Sequence, residues 1–343
     1  MNIKTKSITI GLDVGNHDTK TQSTSTPSGF SKCSKPPFSS KECLTFNGFY
    51  YTPDDLSRFP YTQDKTMSEN CFILSLFGIA KEIIHFVTKN YSRKEKNNPF
   101  KPSKQSIQQE IDNIDTVHLG VGLPPTHCAT LSEKTVKYYK ENFGDGVQFQ
   151  YEDYIFHLQL GECKVFAQDF AAIVSYKLKH KEDPECIVRK YKSYCAIDIG
   201  GWTADVIPFV NSKPSIKNCE SKPLGILKFY ESAIADIEQE TGIRLISSSI
   251  EDVLRGNETI LSDEIKEIIE QKASEWLDKT IQLLAQFGVD FNNYPIVFIG
   301  GGCLLLKKYI DNCSALKKYD IISDIHANAD GYVRLLRAYI TTQ

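Results

Sequence analysis

Apolar residues in this chain fall into short runs separated by polar, glycine- or proline-punctuated stretches, and the spacing within each run sets the element it predicts. Residues 7–14 read as a buried strand, with 18–23 as its hairpin return. Residues 23–41, rich in Ser, Thr, Lys and Pro, read as a loop. Asn47-Gly48, between Leu44-Thr45-Phe46 and Phe49-Tyr50-Tyr51, predicts a type I′ hairpin, whose two central positions need positive φ. Ile73, Leu76, Phe77, Ala80, Ile83, Ile84 and Val87 recur at helical spacing, so residues 68–91 are predicted as helix. The stretch 92–106 carries Lys94, Lys96, Lys101 and Lys104 and reads as a solvated insertion loop rather than a nucleic-acid or partner arm.

A strand over 116–121 is expected to end in the turn Gly122-Leu123-Pro124-Pro125. Thr130-x-x-Glu133 has the form of a capping box opening a helix to Phe143. Short strands near 147–149 and 154–160 precede a helix with its lead-in over 165–176. The charged stretch 177–192, with Pro184, reads as a crossover into a second domain. There the order repeats: strand 194–197, a glycine turn, strand 203–209 and extended residues to Cys219. Gly225 begins a helix to about Thr241, and a longer one runs from Ser262 to Phe287 with Gly288 past its end. A strand and glycine loop at 295–302, a short helix, a strand near Ile321 and a helix over 329–340 complete the pattern. Alternating β and α elements predict an α/β fold, with sheets covered by helices.

Chemistry concentrates at three strand ends. Ile10-Gly11-Leu12-Asp13-Val14-Gly15-Asn16 and Ala196-Ile197-Asp198-Ile199-Gly200-Gly201 look like copies of one another, each an apolar run ending in Asp-x-Gly. A third run ends in Gly300-Gly301-Gly302. Glycines at strand ends let backbone N–H groups approach a phosphate with no Cβ in the way. An Asp beside such a turn can order the hydrated Mg²⁺ that accompanies a nucleoside triphosphate. Two phosphate loops and an adenosine loop imply a nucleotide clamped between two related domains.

Composition narrows the class. At 343 residues, 41% hydrophobic and 24% charged, the chain has room for two domains with sizeable cores. A formal net charge of -3 gives no reason to expect direct, non-specific DNA binding. The ten cysteines contain no C-x-x-C pair and several lie in apolar runs, so they read as reduced structural thiols of a cytoplasmic protein with no zinc site. No signal-peptide core is expected at the N-terminus, and no apolar run approaching the roughly 20 residues of a bilayer span.

The residues Asp13-x-Gly15-Asn16-x-x-x-Lys20, Asp198-Ile199-Gly200-Gly201-Trp202-Thr203-Ala204-Asp205 and Gly300-Gly301-Gly302 resemble the actin, heat-shock chaperone and sugar-kinase superfamily of ATPases. Within it the chain most resembles bacterial plasmid-segregation actins of the ParM (StbA) type, also on its Gly122-Leu123-Pro124 turn. The resemblance implies an actin-like (ribonuclease H-like) pair of duplicated domains with a nucleotide cleft between them. Domain I would span 1–180 and domain II 181–325, with a C-terminal helix, 326–343, returning to domain I.

Roles follow by position. The resemblance makes Asp13 and Asp198 the carboxylates that order Mg²⁺ and its water, Asp198 also serving catalysis. Gly15, Asn16 and His17, with Lys20 on the β-phosphate, form the first loop, and Gly200, Gly201, Trp202 and Thr203 the second. Gln168 falls where the superfamily positions attacking water; Gly225 and Lys228 approach the ribose or base; Gly301 and Gly302 lie under the adenosine and α-phosphate. Trp202 departs from the ParM pattern, which has Thr there, and Gln168 is the actin-like choice where ParM-type proteins often have Glu. Phosphoryl transfer to water needs positioning and charge neutralisation rather than a strong base, which fits slow hydrolysis.

The fold alone leaves several functions open. The sequence is expected to end just beyond its last helix, without the peptide-binding domain of a chaperone, and to lack a membrane-attachment element. The resulting expectation is a cytoplasmic, filament-forming ATPase, with ATP or alternatively GTP and Mg²⁺ as cofactors. Its partners would be its own copies and a centromere-binding adaptor, DNA being reached only through that adaptor. The alternatives are a small-molecule kinase acting on a sugar or carboxylate, and a cytoskeletal actin homologue not devoted to plasmids.

Overall fold

The computed structural model describes residues 6–59, 64, 66, 68–94 and 102–342. The chain gathers into two units, Met1–Ser175 with His326–Gln343, and Tyr176–Ile325. The first unit runs β1 (Lys6–Val14), β2 (Asp18–Lys20), β3 (Ser25–Pro27), β4 (Gly29–Cys33), β5 (Leu44–Phe46), β6 (Phe49–Arg58), α1 (Glu69–Lys94), α2 (Lys104–Asp112), β7 (Ile114–Leu123), α3 (Pro125–Phe143), β8 (Val147–Tyr151), β9 (Tyr154–Ala167) and the start of α4 (Phe170–Lys179), which passes into the second unit at Tyr176. The second runs α5 (Ile187–Lys190), β10 (Tyr194–Ile199), β11 (Ala204–Val210), β12 (Lys213–Pro214), β13 (Glu220–Lys222), α6 (Ile226–Thr241), α7 (Ser247–Arg255), α8 (Asp263–Gln286), β14 (Ile296–Ile299), α9 (Gly301–Leu305), α10 (Lys307–Asn312) and β15 (Tyr319–Ile321). Helix α11 (Ala327–Thr341) belongs to the first unit.

In the first unit the strands form one sheet in the order β3-β2-β1-β7-β9-β8-β5-β6-β4. β7 is parallel to both β1 and β9, so all three chains leave the sheet along the same edge. Asn47 and Gly48 take φ 48° and 77° between β5 and β6, as a type I′ turn requires. Leu76, Phe77, Ile79, Ala80 and Ile83 of α1 are fully buried in the core beside Ile10 and Leu12 of β1. The segment Glu69–Tyr91 is long and apolar enough to cross a membrane, contrary to the expectation that no run approaches that length. With 72% of its apolar window buried, it is accounted for as the core helix of the unit.

Several expectations are corrected here. Residues 23–41 hold β3 and β4 rather than only a loop; the buried residue of β3 is Thr26, so no apolar alternation marks it. The helix placed at the capping box begins at Pro125, and Thr130 Oγ1 donates to His127 O within it. Proline's fixed φ suits that first turn, which leaves Pro124 and Pro125 as a helix start rather than part of a turn. β9 continues to Ala167, past polar Gln159, Glu162 and Lys164, because its first part pairs with β8 and its second with β7. Of the proposed 92–106 insertion, residues 95–101 lie outside the described residues, while 104–106 begin α2.

The second unit is built on the order β12-β11-β10-β14-β15, with β13 also pairing β11. β10, β14 and β15 are parallel, and β11 returns antiparallel beside β10. Phe229 and Ile237 of α6, Ile269, Leu277 and Leu284 of α8 and Phe298 of β14 fill its core. Ser262 caps α8, its side chain accepting from Ile265 N at 3.4 Å, and Gly288 follows the helix at φ 96°. Helix α7 lies in a stretch to which the periodicity assigned no element. All ten cysteines are free thiols.

Candidate functional site

The first loop joins β1 to β2. Gly15 N donates to both Asp13 O and Asp18 O at 3.0 Å, a closure so tight that a Cβ on Gly15 would lie 2.5 Å from Asp18 O. Ser28, from the segment between β3 and β4, locks the loop: its Oγ donates to Gly15 O at 2.7 Å and its N–H to His17 O at 3.0 Å. Asn16 and His17 form the partly exposed tip, where His17 Nδ1 lies 3.1 Å from Asp18 Oδ2. Lys20 sits directly opposite Asp13 in the antiparallel register, so the two side chains share a face of the hairpin.

Gln168 joins this cluster by topology. β1 and β9 flank β7 in parallel, so the residues just beyond Leu12 and Ala167 emerge together. Gln168 N donates to Leu123 O at 2.9 Å, and its Nε2 donates to Asp13 Oδ1 at 2.8 Å, across 155 positions of sequence. The turn that aims Gln168 depends on Asp169, which takes φ 61° and whose N–H donates to Asn328 Oδ1 at 2.7 Å, from α11.

In the second unit Asp198, Gly200, Gly201, Trp202, Thr203, Gly225, Lys228, Gly301 and Gly302 come together at one end of the sheet. Gly200 N donates to Thr203 O at 2.9 Å, closing the β10–β11 turn. The start of α6 then engages its carbonyls in order: Ile226 N to Gly200 O at 2.9 Å, Leu227 N to Gly201 O at 2.9 Å, and Gly225 N to Trp202 O at 3.1 Å. In a trans peptide the C=O and the next N–H point opposite ways. With three successive carbonyls turned to α6, the N–H groups of Gly201, Trp202 and Thr203 point away from it. Successive N–H groups so aligned form a concavity suited to an anion. Gly225 permits the contact, since a Cβ there would lie 2.4 Å from Gly201 O.

β14 ends beside β10, with Ile299 paired to Asp198. Gly300 turns the chain at φ 91°, and a Cβ on it would fall 1.9 Å from Asp198 Oδ1, so that carboxylate lies against the glycine backbone. Gly302 packs on Ile199 O, which a Cβ would meet at 2.6 Å, whereas a Cβ on Gly301 would meet nothing within 4 Å. Lys228 extends over the Trp202 ring at 5.8 Å and pairs with Glu231 at 2.7 Å.

Sequence reasoning did not find Ser28, whose signal is only a polar residue in a stretch read as loop. It also left out Gly300, although the glycine run contained it. Among the described residues no group of three or more His, Cys, Asp and Glu could hold a metal.

Residues 196–312 match the profile of the C-terminal domain of archaeal MreB-like actin homologues. No curated protein sequence matches the chain. Among solved structures, the archaeal actin homologue Ta0583 aligns over 96% of this chain and 99% of its own, at 16% identity and a TM-score of 0.69. The actin-like protein Alp7A aligns over 98% of each chain at 14% identity and 0.69, and the psk41 ParM protein over 98% and 99% at 14% and 0.65. The chain has the actin-like fold, and its residues 196–312 are similar to the C-terminal domain of archaeal MreB-like actin homologues.

Proposed function

We propose that this protein is a cytoplasmic ATPase that polymerises with bound nucleotide and disassembles after slow hydrolysis, the β10–β11 turn being the observation that carries the reading. Its outward N–H groups at Gly201, Trp202 and Thr203 would cradle a phosphate, with Asp198 beside them to order a metal's water shell. Gly15, Asn16, His17 and Lys20, with Asp13, would serve a phosphate in the same way from the first unit. Trp202 fits this role, because the cradle uses its backbone and leaves the ring to Lys228. Gly301 and Gly302 would lie along adenosine and α-phosphate, the open space at Gly301 being the room such a ligand needs. Lys228 and Gly225 would border the ribose or base. Bound Mg²⁺ would offset triphosphate charge, and Gln168 would orient water.

Similar folds support the reading. The archaeal actin homologue was also crystallised with ADP, a Bacillus thuringiensis ParM was solved with ATP, and AlfA as a filament bound to AMPPNP. We further propose plasmid segregation through a centromere-binding adaptor, with DNA reached indirectly; the net charge of -3 agrees with that. The test is hydrolysis. Asp198→Ala should lose about 10- to 100-fold in Mg²⁺-dependent phosphate release, and Gln168→Ala should slow release while still binding ATP. Asp198→Ala hydrolysing at the parental rate would refute the second-loop assignment.

A further inference from the structure

We infer that two patches of the second unit, a basic hairpin at residues 210–218 and an acidic loop at 256–264, are the two halves of a contact between successive copies of this chain. The inference rests on the self-assembly reading above and adds the surface that performs it.

The hairpin is exposed and preformed. Val210 pairs with Lys213 across Asn211 and Ser212, which take φ 53° and 61°. Ser212 N donates to Lys192 O at 2.6 Å and Ser215 N to Pro208 O at 2.8 Å, fixing the tip from both sides. On this frame Val210 and Ile216 are 52% and 50% exposed, ringed by exposed Lys192, Lys213 and Lys217. Residues 210–218 contain no Asp or Glu, and among the described residues none of these three lysines forms an ion pair. A rigid, apolar-centred and positively charged tip loses little conformational freedom on docking.

The loop between α7 and α8 is its chemical complement. Gly256 ends α7 at φ 71°, and Ser262 caps α8, which holds Ile260 between two fixed ends. Ile260 is fully exposed. Glu258, Asp263 and Glu264 surround it in sequence, all exposed, and residues 256–264 contain no Lys or Arg. Among the described residues no ion pair joins the two patches within one copy.

An apolar centre with a basic rim fits an apolar centre with an acidic rim, and charge of opposite sign both selects the partner and speeds encounter. Because the patches differ, the contact is heterologous: each copy keeps one half free for the next, and such contacts run on as open filaments unless they close as a ring.

Charge reversal tests this in the full-length protein, by pelleting with Mg-ATP. Lys213→Glu/Lys217→Glu makes both patches acidic, and Glu258→Lys/Glu264→Lys makes both basic. Each variant alone should need at least about tenfold more protein to pellet than the parent. An equimolar mixture should pellet near the parental concentration, since alternating copies place opposite charges at every contact. Unchanged ATP binding and melting in each variant shows that folding is intact. Variants that pellet as the parent does, or a mixture as impaired as its components, would overturn the surface while leaving the assembly reading standing. A parent that never pellets would overturn the assembly reading itself.

Discussion

Replacing Gly300 with Ala, with Gly301→Ala beside it, separates a glycine required by the protein from one left open for a ligand. At Gly300 the backbone is at φ 91°, where a side chain costs about 1–2 kcal/mol. The new Cβ would sit 1.9 Å from Asp198 Oδ1 and 2.9 Å from Ile199 O. The carboxylate can swing aside, but Ile199 O belongs to the end of β10 and yields only with the strand. Overpacking of that kind costs about another 1–3 kcal/mol. The sum, about 2–5 kcal/mol, corresponds to a fall on the order of 10 °C in the melting of a unit this size. Gly301→Ala meets nothing within 4 Å and opens a helix, so its stability should stay within about 0.5 kcal/mol of the parent. Its ATP affinity should fall, because the methyl occupies the ligand's space. Thermal unfolding by circular dichroism and ATP titration read both effects. Equal melting temperatures for Gly300→Ala and parent, or an equal fall for both variants, would refute the reasoning.

Glu82, 3% exposed on α1, accepts hydrogen bonds from Thr21 Oγ1 and from Ser23 N at 3.1 Å, and so anchors the strand turn beyond Lys20. Glu82→Ala removes the shared buried acceptor of Thr21 Oγ1 and Ser23 N and should cost about 1–2 kcal/mol; hydrogen exchange at residues 21–24 should quicken, and unchanged protection there would contradict the anchoring role. Exposed Cys33 should react with iodoacetamide in the native protein at pH 8, while Cys163 and Cys195, whose thiols burial pushes up to about 12, should stay unmodified by mass spectrometry. Those two thiols hold their protons longer folded than unfolded, so their contribution to stability is complete below pH 9.0 and is lost as pH rises towards 12. Urea midpoints that stay level between pH 8 and pH 11 would speak against it.

The legible parts of the fold were those written in local chemistry. Asn47-Gly48 announces its turn because few dipeptides accept two left-handed residues, and the α1 stripe announces a helix because its whole face is buried. The strand-end glycines were visible for the same reason. What stayed hidden depends on neighbours distant in sequence. β3 is held with Thr26 as its buried residue, and the second part of β9 is polar because pairing with β7, not apolar alternation, defines it. Ser28 becomes part of the first loop only once β2 and β3 pair. Gln168 was placed through the resemblance; its hydrogen bond to Asp13 follows from two parallel strands ending together, which no local pattern encodes.

Nucleotide-controlled self-assembly is the central claim, and sedimentation of the purified protein with Mg-ATP, Mg-GTP, Mg-ADP or no nucleotide tests it most directly. The account predicts a pellet with a triphosphate at tens of micromolar protein, on the order expected for weak self-association, and little or none with ADP or without nucleotide. A protein that stays in the supernatant with every nucleotide, or that pellets equally without any, would contradict it.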